Sequence, residues 1–215
     1  MPDRTIEDLL REEYFELLPD LTKAAEQLEA EIRFHTLPIS RRLAKHEQIR
    51  VRSRIKSCDS AVGSLRRRQE GQTFDSETPG AYSLSQLRDL VGVRVLAFPR
   101  SRLAEIDETL RKHFPLWAPD PVVDESGNLL AYKYYGRASE ANENLACEYQ
   151  IASMLTGLFW EVEHATIYKP APELKGIADS LEMKEQTESV YAALRGFEAE
   201  FERQLLSANQ EPSQK

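Results

Sequence analysis

The sequence contains little cysteine and no long apolar segment. Of its 215 residues only Cys58 and Cys147 are cysteines, and they do not form a Cys-x-x-Cys pair. This excludes a disulfide framework and a cysteine-based zinc site. No stretch approaches the roughly 18 consecutive apolar residues that a membrane span requires. The first eight residues lack the basic-then-apolar order of a signal peptide, so we expect a cytoplasmic protein.

Common nucleotide-binding and metal-binding motifs are also missing. Neither G-x-x-x-x-G-K-[ST] nor G-x-G-x-x-G occurs, so the phosphates of a bound nucleotide would be held by side chains rather than by a glycine-rich loop. The absence of G-x-S-x-G and H-E-x-x-H argues against a serine hydrolase and a zinc protease. Glu161-x-x-His164 has the spacing of a di-iron ligand pair, but the second pair that such a site needs is not present.

Charge is plentiful but unevenly distributed. Charged residues make up 30% and hydrophobic residues 41% of the chain, which is typical of a soluble globular protein of one domain. Residues 1–32 carry ten acidic and three basic side chains, whereas residues 41–68 carry ten basic and two acidic ones. A cationic segment in a chain of net charge −8 indicates one anion-binding surface, although a solvated helix face would produce the same run.

Hydrophobic periodicity predicts an α+β protein with one mixed sheet. Apolar residues recur every three or four positions from Thr5 to Phe34, which predicts an amphipathic helix with a candidate break at Pro19 and an end at Leu37-Pro38. A short helix is expected from Ser40 to His46. Further helices are predicted at 59–68, 102–113, 154–167 and 180–206, strands at 49–56, 91–98, 129–138 and 145–151, and a proline-rich connector at 115–121. Helices flanking a single sheet are the expected architecture.

The strand at 49–56 alternates strictly between apolar and cationic residues. Its four cations share one face at intervals of about 7 Å. They are Arg50, Arg52, Arg54 and Lys56. Such a row suits the oxygens of a polyphosphate, whereas a strand whose outer face meets solvent would show the same pattern.

Four segments, in this order, resemble motifs of the RelA/SpoT-type alarmone synthetase domain, specifically the small single-domain enzymes. They are RIKSCDS (54–60), DLVGVRV (89–95), EYQI (148–151) and EHATIYK (163–169), which are similar to the family's R-V-K-x-x-x-S, D-x-x-G-x-R, E-I-Q-I and E-H-x-x-x-Y-K. The resemblance divides the chain into an N-terminal helical segment (1–44), a synthetase domain (45–170), and a C-terminal helix with a disordered tail (171–215).

The resemblance implies a pyrophosphokinase with a nucleotidyltransferase-like fold. The family transfers the β,γ-diphosphate of ATP to the 3′-hydroxyl of GDP or GTP, which yields the alarmone (p)ppGpp of the stringent response. By the same resemblance, Asp89 binds Mg²⁺, and Glu148 is a second metal ligand or the general base. Arg54 and Lys56 bind ATP with Ser60 nearby, while Tyr132, Lys133 and Gln150 bind the acceptor.

The chain departs from the family on the acceptor side. The family's G-Y-R-S-x-H corresponds best to AYKYYG (131–136), which keeps the tyrosine but not the glycine or histidine. Tyr134 or Tyr135 could replace Tyr132 as the stacking residue. Ala152 stands where the family has arginine and Ser64 where it has lysine. The neighbouring arginines at 66–68 are candidates to compensate for Ser64.

These departures leave three functions open. The first is an alarmone synthetase that uses GDP or GTP. The second is a toxin-type relative, with an antitoxin partner, that modifies the 3′-hydroxyl of adenine nucleotides or of the CCA end of tRNA, whose phosphates the basic run would contact. The third is a catalytically silent nucleotide-binding module. The C-terminal helix has an apolar stripe that packs on its own domain or on a second subunit of a homo-oligomer.

Overall fold

The computed structural model describes residues 4–124, 127–138, 145–168 and 172–210. These residues form six α-helices and one six-stranded sheet. The helices are α1 (Ile6–Ser40), α2 (Cys58–Arg66), α3 (Arg102–His113), α4 (Met154–Glu163), α5 (Lys175–Ala178) and α6 (Leu181–Gln210). The strands are β1 (Gln48–Ile55), β2 (Val91–Phe98), β3 (Ala118–Pro119), β4 (Val122–Val123), β5 (Leu129–Arg137) and β6 (Ala146–Ser153).

The sheet is mixed, as the sequence predicts. Its strand order is β1-β2-β6-β5-β3, and β4 also pairs with β5. The central pair β2–β6 is parallel, and the other pairs are antiparallel. The main core lies between one face of the sheet and helices α1, α2 and α3. Helix α4 packs on the other face over a small apolar cluster of Leu96, Ala131, Ala152 and Met154.

Helix α1 corrects the prediction for the N-terminal region. It runs unbroken through Pro19 and Pro38 to Ser40, and no second helix follows in 41–47. Thr5 caps its start by accepting a hydrogen bond from the Asp8 N–H, while the Asp8 side chain accepts from the Thr5 N–H. Its buried face, which includes Leu21, Leu28 and Ile32 with no exposed surface, packs on the sheet. Burial worth about 1.5–3 kcal/mol per large side chain outweighs the cost of one proline.

Other predicted elements agree with the structure to within a few residues. The proline-rich connector at 115–121 contains the short strand β3, and β4 follows directly after it; neither strand was predicted. Helix α4 is followed by a π-helical turn at His164–Tyr168. Disorder was predicted for 209–215, but α6 runs to Gln210, and residues 211–215 lie outside the described residues. The polar turn expected at 140–144, between the last two predicted strands, lies outside them as well. Across the described ranges, no helix combines the length and apolar character that crossing a bilayer requires.

Candidate functional site

Two cross-strand rows of side chains occupy the face of the sheet that α4 only partly covers. Because successive side chains of a strand point to opposite faces, neighbours in register share a face. The first row is Arg54, Gly92, Glu148 and Tyr135, and the second is Arg52, Arg94, Gln150 and Lys133. We call this surface the site face. Four of the eight predicted site residues lie in these rows, and Lys56 and Asp89 lie at the end of the site face.

Arg54 and Glu148 meet on the site face although β2 lies between their strands. The Arg54 Nη2 donates to Glu148 Oε1 at 2.7 Å. Gly92 leaves room for this contact, since a Cβ there would lie 3.2 Å from both Arg54 Nε and Glu148 Oε1. Gln150 Nε2 donates to the same oxygen at 3.3 Å. The side chain of Glu148 is only 5% exposed, so these donors compensate for the burial of its carboxylate.

Lys56 and Asp89 form a second ion pair at the end of β1. The backbone N–H of Lys56 donates to the Leu90 carbonyl at 2.8 Å, and this bond places Nζ against Asp89 Oδ2. Lys56 is buried. The other carboxylate oxygen, Asp89 Oδ1, is buried and has no hydrogen-bond partner among the residues that the structure describes. A buried oxygen without a partner is costly, and a hard cation would satisfy it.

The predicted Mg²⁺ ion fits this carboxylate. Within the described ranges no cluster of three or more histidine, cysteine or acidic side chains could hold a metal. Mg²⁺ is commonly bound through one or two carboxylates, with substrate phosphates and water completing its shell. Asp89 Oδ1 offers one such ligand, so the site suits an ion that arrives with a nucleotide.

A pocket of about 620 Å³, here called the cationic pocket, opens beside the Lys56–Asp89 pair. Its polar lining consists of Arg54, Lys56, Ser57, Ser60, Ser64, Arg67, Arg68, Asp89 and His164. The N-terminus of α2 lies at this pocket, where Ser57 is the N-cap and accepts from the Ser60 N–H at 3.4 Å. A helix N-terminus among several cations favours a polyphosphate.

The three arginines near Ser64 do not behave alike. Arg67 and Arg68 line the cationic pocket, and Arg67 Nη2 donates to the Ser64 hydroxyl at 3.0 Å. Arg66 turns away and forms an ion pair with Glu7 at 2.8 Å. Two of the three arginines are therefore placed where they could replace the family's lysine.

A second pocket, of about 660 Å³, lies over the second row and is here called the sheet-face pocket. Its lining residues are Arg54, Arg94, Val122, Gln150, Trp160, Glu161, Glu163 and His164. The Arg94 guanidinium lies 6.0 Å from the centre of the Trp160 ring and 3.7 Å from Glu161. Burial, and then the nearby Arg54, lower the pKa of Arg94. Flat guanidinium and indole groups suit a planar base.

The structure separates Tyr132 from the other predicted acceptor residues. Tyr132 lies on the opposite face of the sheet, where it packs against the main core. Tyr135 instead pairs in register with Glu148 on the site face, and its pKa is raised by burial and then by that carboxylate. Lys133 shares this face, forms an ion pair with Asp120 at 2.6 Å, and lies 5.3 Å from the Tyr135 ring centre.

Gly136 stands where the aligned family motif has its histidine. A Cβ at this position would overlap the ring of Trp117, which is buried. No histidine side chain therefore fits there unless Trp117 moves. The loss of the motif's histidine thus goes together with the packing of Trp117 against Gly136 in the core.

Sequence reasoning overlooked several lining residues. Val122 lies on a two-residue strand that showed no pattern, and Trp160 and Glu161 lie on α4 just before the E-H segment, whose position was the available signal. His164 lines both pockets. Lys169 and the side chain of Tyr168, from the same segment, lie outside the described residues.

Solved structures with this fold were found at low sequence identity. The small alarmone synthetase 1 from Bacillus subtilis superposes with a TM-score of 0.67 at 14% identity, over 93% of this chain and 99% of that one. A GTP pyrophosphokinase family protein from Streptococcus pneumoniae superposes with a TM-score of 0.63 at 19% identity, over 89% of this chain and 92% of that one. The B. subtilis enzyme bound to its product pppGpp superposes with a TM-score of 0.61 at 14% identity, over 92% of this chain and 99% of that one.

No protein-family model and no curated protein sequence matches the chain. The structural likeness nevertheless covers nearly the whole length of both partners. It confirms in three dimensions the fold that four short motifs predicted. The chain has the fold of the RelA/SpoT-type synthetase domain, in the form seen in the small alarmone synthetases.

Proposed function

We propose that this chain is a Mg²⁺-dependent pyrophosphokinase that transfers the β,γ-diphosphate of ATP to the 3′-hydroxyl of GDP or GTP. One observation carries the proposal. Each predicted catalytic carboxylate is ion-paired with a predicted phosphate-binding cation, Asp89 with Lys56 and Glu148 with Arg54, beside pockets that share Arg54. The similarity to a synthetase solved with its product pppGpp supports the same function.

The cationic pocket would receive the polyphosphate of ATP. Lys56, Arg67 and Arg68 would neutralise the oxygens of the transferred diphosphate, where charge develops during phosphoryl transfer. Asp89 would hold Mg²⁺ through Oδ1, the atom that has no partner. The ion, when bound, neutralises phosphate charge and helps to align the transferred group.

The ion pairs also suggest how the site becomes active. Arg54 is 46% exposed above the buried Glu148, and incoming phosphates would compete with Glu148 for its guanidinium. Release of Arg54 frees the Glu148 carboxylate to accept the proton of the 3′-hydroxyl. The 3′ oxygen then bonds to the β-phosphorus, the bond from that phosphorus to the α–β bridging oxygen breaks, and AMP leaves with the electron pair.

Purified protein incubated with γ-labelled ATP, Mg²⁺ and one acceptor at a time tests this function. The acceptors are GDP, GTP, ADP and deacylated tRNA. We expect label on GDP or GTP together with release of AMP. Nucleotide binding without transfer to any acceptor would support the catalytically silent module instead.

A tRNA acceptor is the second candidate, and the β1 cations favour it. Arg50 and Arg52 are exposed and continue the row beyond Arg54 along an edge strand, where a phosphodiester backbone could lie. Arg52 makes a long ion pair with Glu161, at 3.9 Å, whereas Arg42, from the same basic run, is held by Glu105 at 2.7 Å and is less available. If tRNA is the acceptor, Arg50→Glu with Arg52→Glu should impair labelling of tRNA and spare ATP binding.

A further inference from the structure

Helix α6 docks onto the synthetase fold through polar side chains rather than an apolar stripe. Four residues spaced four, three and four apart face the protein, as one side of a helix does. They are Tyr191, Arg195, Glu198 and Glu202, which contact Glu163, Asp124, Ser153 and the Ser101 N–H respectively. Among residues 181–208 of α6 only Glu198 is buried.

The apolar residues of α6 are only partly covered by this docking, since Leu194, Phe201 and Leu205 are half-buried and none is buried. Phe197 is 57% exposed, and Leu181 and Leu206 are exposed as well. Phe201 is the main apolar contact, with its ring centre 5.0 Å from that of Phe98. The position of α6 thus depends on individual hydrogen bonds and ion pairs, which are directional and fix its register on the surface.

The first two polar contacts of α6 reach two different elements that line the sheet-face pocket, α4 and the segment that follows β4, here called its two walls. The Tyr191 hydroxyl donates to Glu163 Oε2, and Glu163 lines the pocket at the end of α4. The Tyr191 ring also packs on Phe159, 4.9 Å between centres. These two contacts of Tyr191 hold the C-terminal half of α4, which forms one wall of the pocket.

The other wall is anchored by Arg195. Its Nη1 donates to Asp124 Oδ2 at 2.9 Å, and both side chains are partly buried, at 32% and 18% exposed. Asp124 follows β4, whose Val122 lines the pocket. The Asp124 carboxylate also accepts from the Asn128 N–H at 2.8 Å, which ties Arg195 to the turn before β5.

We propose that Tyr191 and Arg195 are positioning residues that fix the distance between the two walls of the sheet-face pocket, so that the docking of α6 sets nucleotide affinity there. The proposal rests on the proposed function for the identity of the ligand, a purine nucleotide. Neither residue touches the predicted reacting groups. Loss of either contact therefore raises the KM for a nucleotide and leaves kcat nearly unchanged, since Asp89, Glu148 and the β1 cations stay in place.

The test compares the full chain with Arg195→Gln, Arg195→Lys and Tyr191→Phe. Arg203→Gln is the matched control, because Arg203 lies on the same helix, is 62% exposed and pairs with Glu200 of that helix. Amide hydrogen exchange of 120–124 and 127–131, and of 157–163, measures the two walls without nucleotide. We expect exchange to accelerate about fivefold or more at 120–124 and 127–131 in Arg195→Gln, and at 157–163 in Tyr191→Phe. Arg195→Lys should recover part of the protection, and Arg203→Gln should match the wild type.

Binding of a fluorescent ATP or GDP analogue and steady-state transfer complete the test. We expect Arg195→Gln and Tyr191→Phe to raise the Kd and the KM of either ATP or the acceptor nucleotide about fivefold or more, while kcat stays within about twofold of the wild-type value. Unchanged exchange at both walls, or a fall in kcat with unchanged KM, overturns the role of α6. Absence of transfer in the wild type, with exchange and binding still altered in the variants, overturns the proposed reaction and leaves this inference standing.

Discussion

Arg54 contacts Glu148 across β2, directly over the glycine at position 92 that lies between them in register. The guanidinium and the carboxylate meet at 2.7 Å, and both lie 3.2 Å from the place that a Cβ of residue 92 would occupy. A phosphate-binding cation and a buried carboxylate are thereby held in direct contact. The proposed reaction needs both side chains at this place in the cleft, because Arg54 binds the incoming phosphates and the Glu148 carboxylate that it leaves takes the proton of the 3′-hydroxyl.

Gly92→Ala tests that relationship. The added methyl group should push Arg54 and Glu148 apart by a few tenths of an ångström or more, and transfer should fall by about tenfold, as expected for a small misplacement in an active site. The midpoint of thermal unfolding should change little, because the methyl group enters the cleft rather than the core. Gly80→Ala is the control, since nothing lies within 4 Å of a Cβ there. Wild-type turnover in Gly92→Ala would contradict the importance of the contact.

Tyr135, rather than Tyr132, should stack on the base of the acceptor nucleotide. Stacking of a base on an aromatic side chain contributes about 1–3 kcal/mol, so Tyr135→Ala should raise the KM for the acceptor by roughly tenfold to a hundredfold. Tyr132→Ala should leave that KM unchanged and lower the free energy of unfolding by about 1–3 kcal/mol, because Tyr132 packs on the core. Steady-state kinetics and urea denaturation of both variants measure these effects. The reverse pattern would restore Tyr132 as the stacking residue.

Stability should fall in mild acid because of His35. Its ring stacks on His113 with 3.6 Å between centres, and burial followed by His113 lowers the pKa of His35 below 6.5. The unfolded chain therefore binds this proton first as pH falls. The free energy of unfolding should be unaffected above pH 6.5 and decline as pH drops from 6.5 toward the folded pKa.

Denaturation of wild type and His35→Gln across this range measures the contribution. The variant should lose part of the decline, although its stability at neutral pH is lower because the stacked ring is gone. Equal pH dependence in the two proteins would show that His35 does not sense the change.

Much of the fold was predictable from local pattern. The alternation in 49–56 and the β-branched run at 91–98 gave β1 and β2, and periodicity gave α3 with the bounds Arg102–His113. The break predicted at Pro19 was wrong, because the free energy that the proline costs locally is small beside the free energy gained when α1 buries its apolar face on the sheet. That burial depends on the partner surface, which no window of the sequence contains.

The candidate site was predictable in composition but not in pairing. Motifs selected Arg54, Lys56, Asp89 and Glu148, and the structure joins them as two ion pairs. The face on which Tyr132 lies depends on the β5–β6 register, since a shift of one residue would move every side chain of the strand to the opposite face of the sheet. The contacts of Tyr191 and Arg195 join segments far apart in the chain, so only the folded structure reveals them.

The central claim is that Asp89 and Glu148 serve one diphosphate transfer in one cleft. The most direct measurement is the yield of AMP and of 3′-diphosphorylated acceptor from ATP, with wild type, Asp89→Asn, Glu148→Gln and the control Asp59→Asn, an exposed carboxylate outside both pockets. We predict equal amounts of the two products from wild type and from the control. Asp89→Asn and Glu148→Gln should each lose transfer by about a thousandfold with folding intact. Wild-type yields from either site variant would contradict the account.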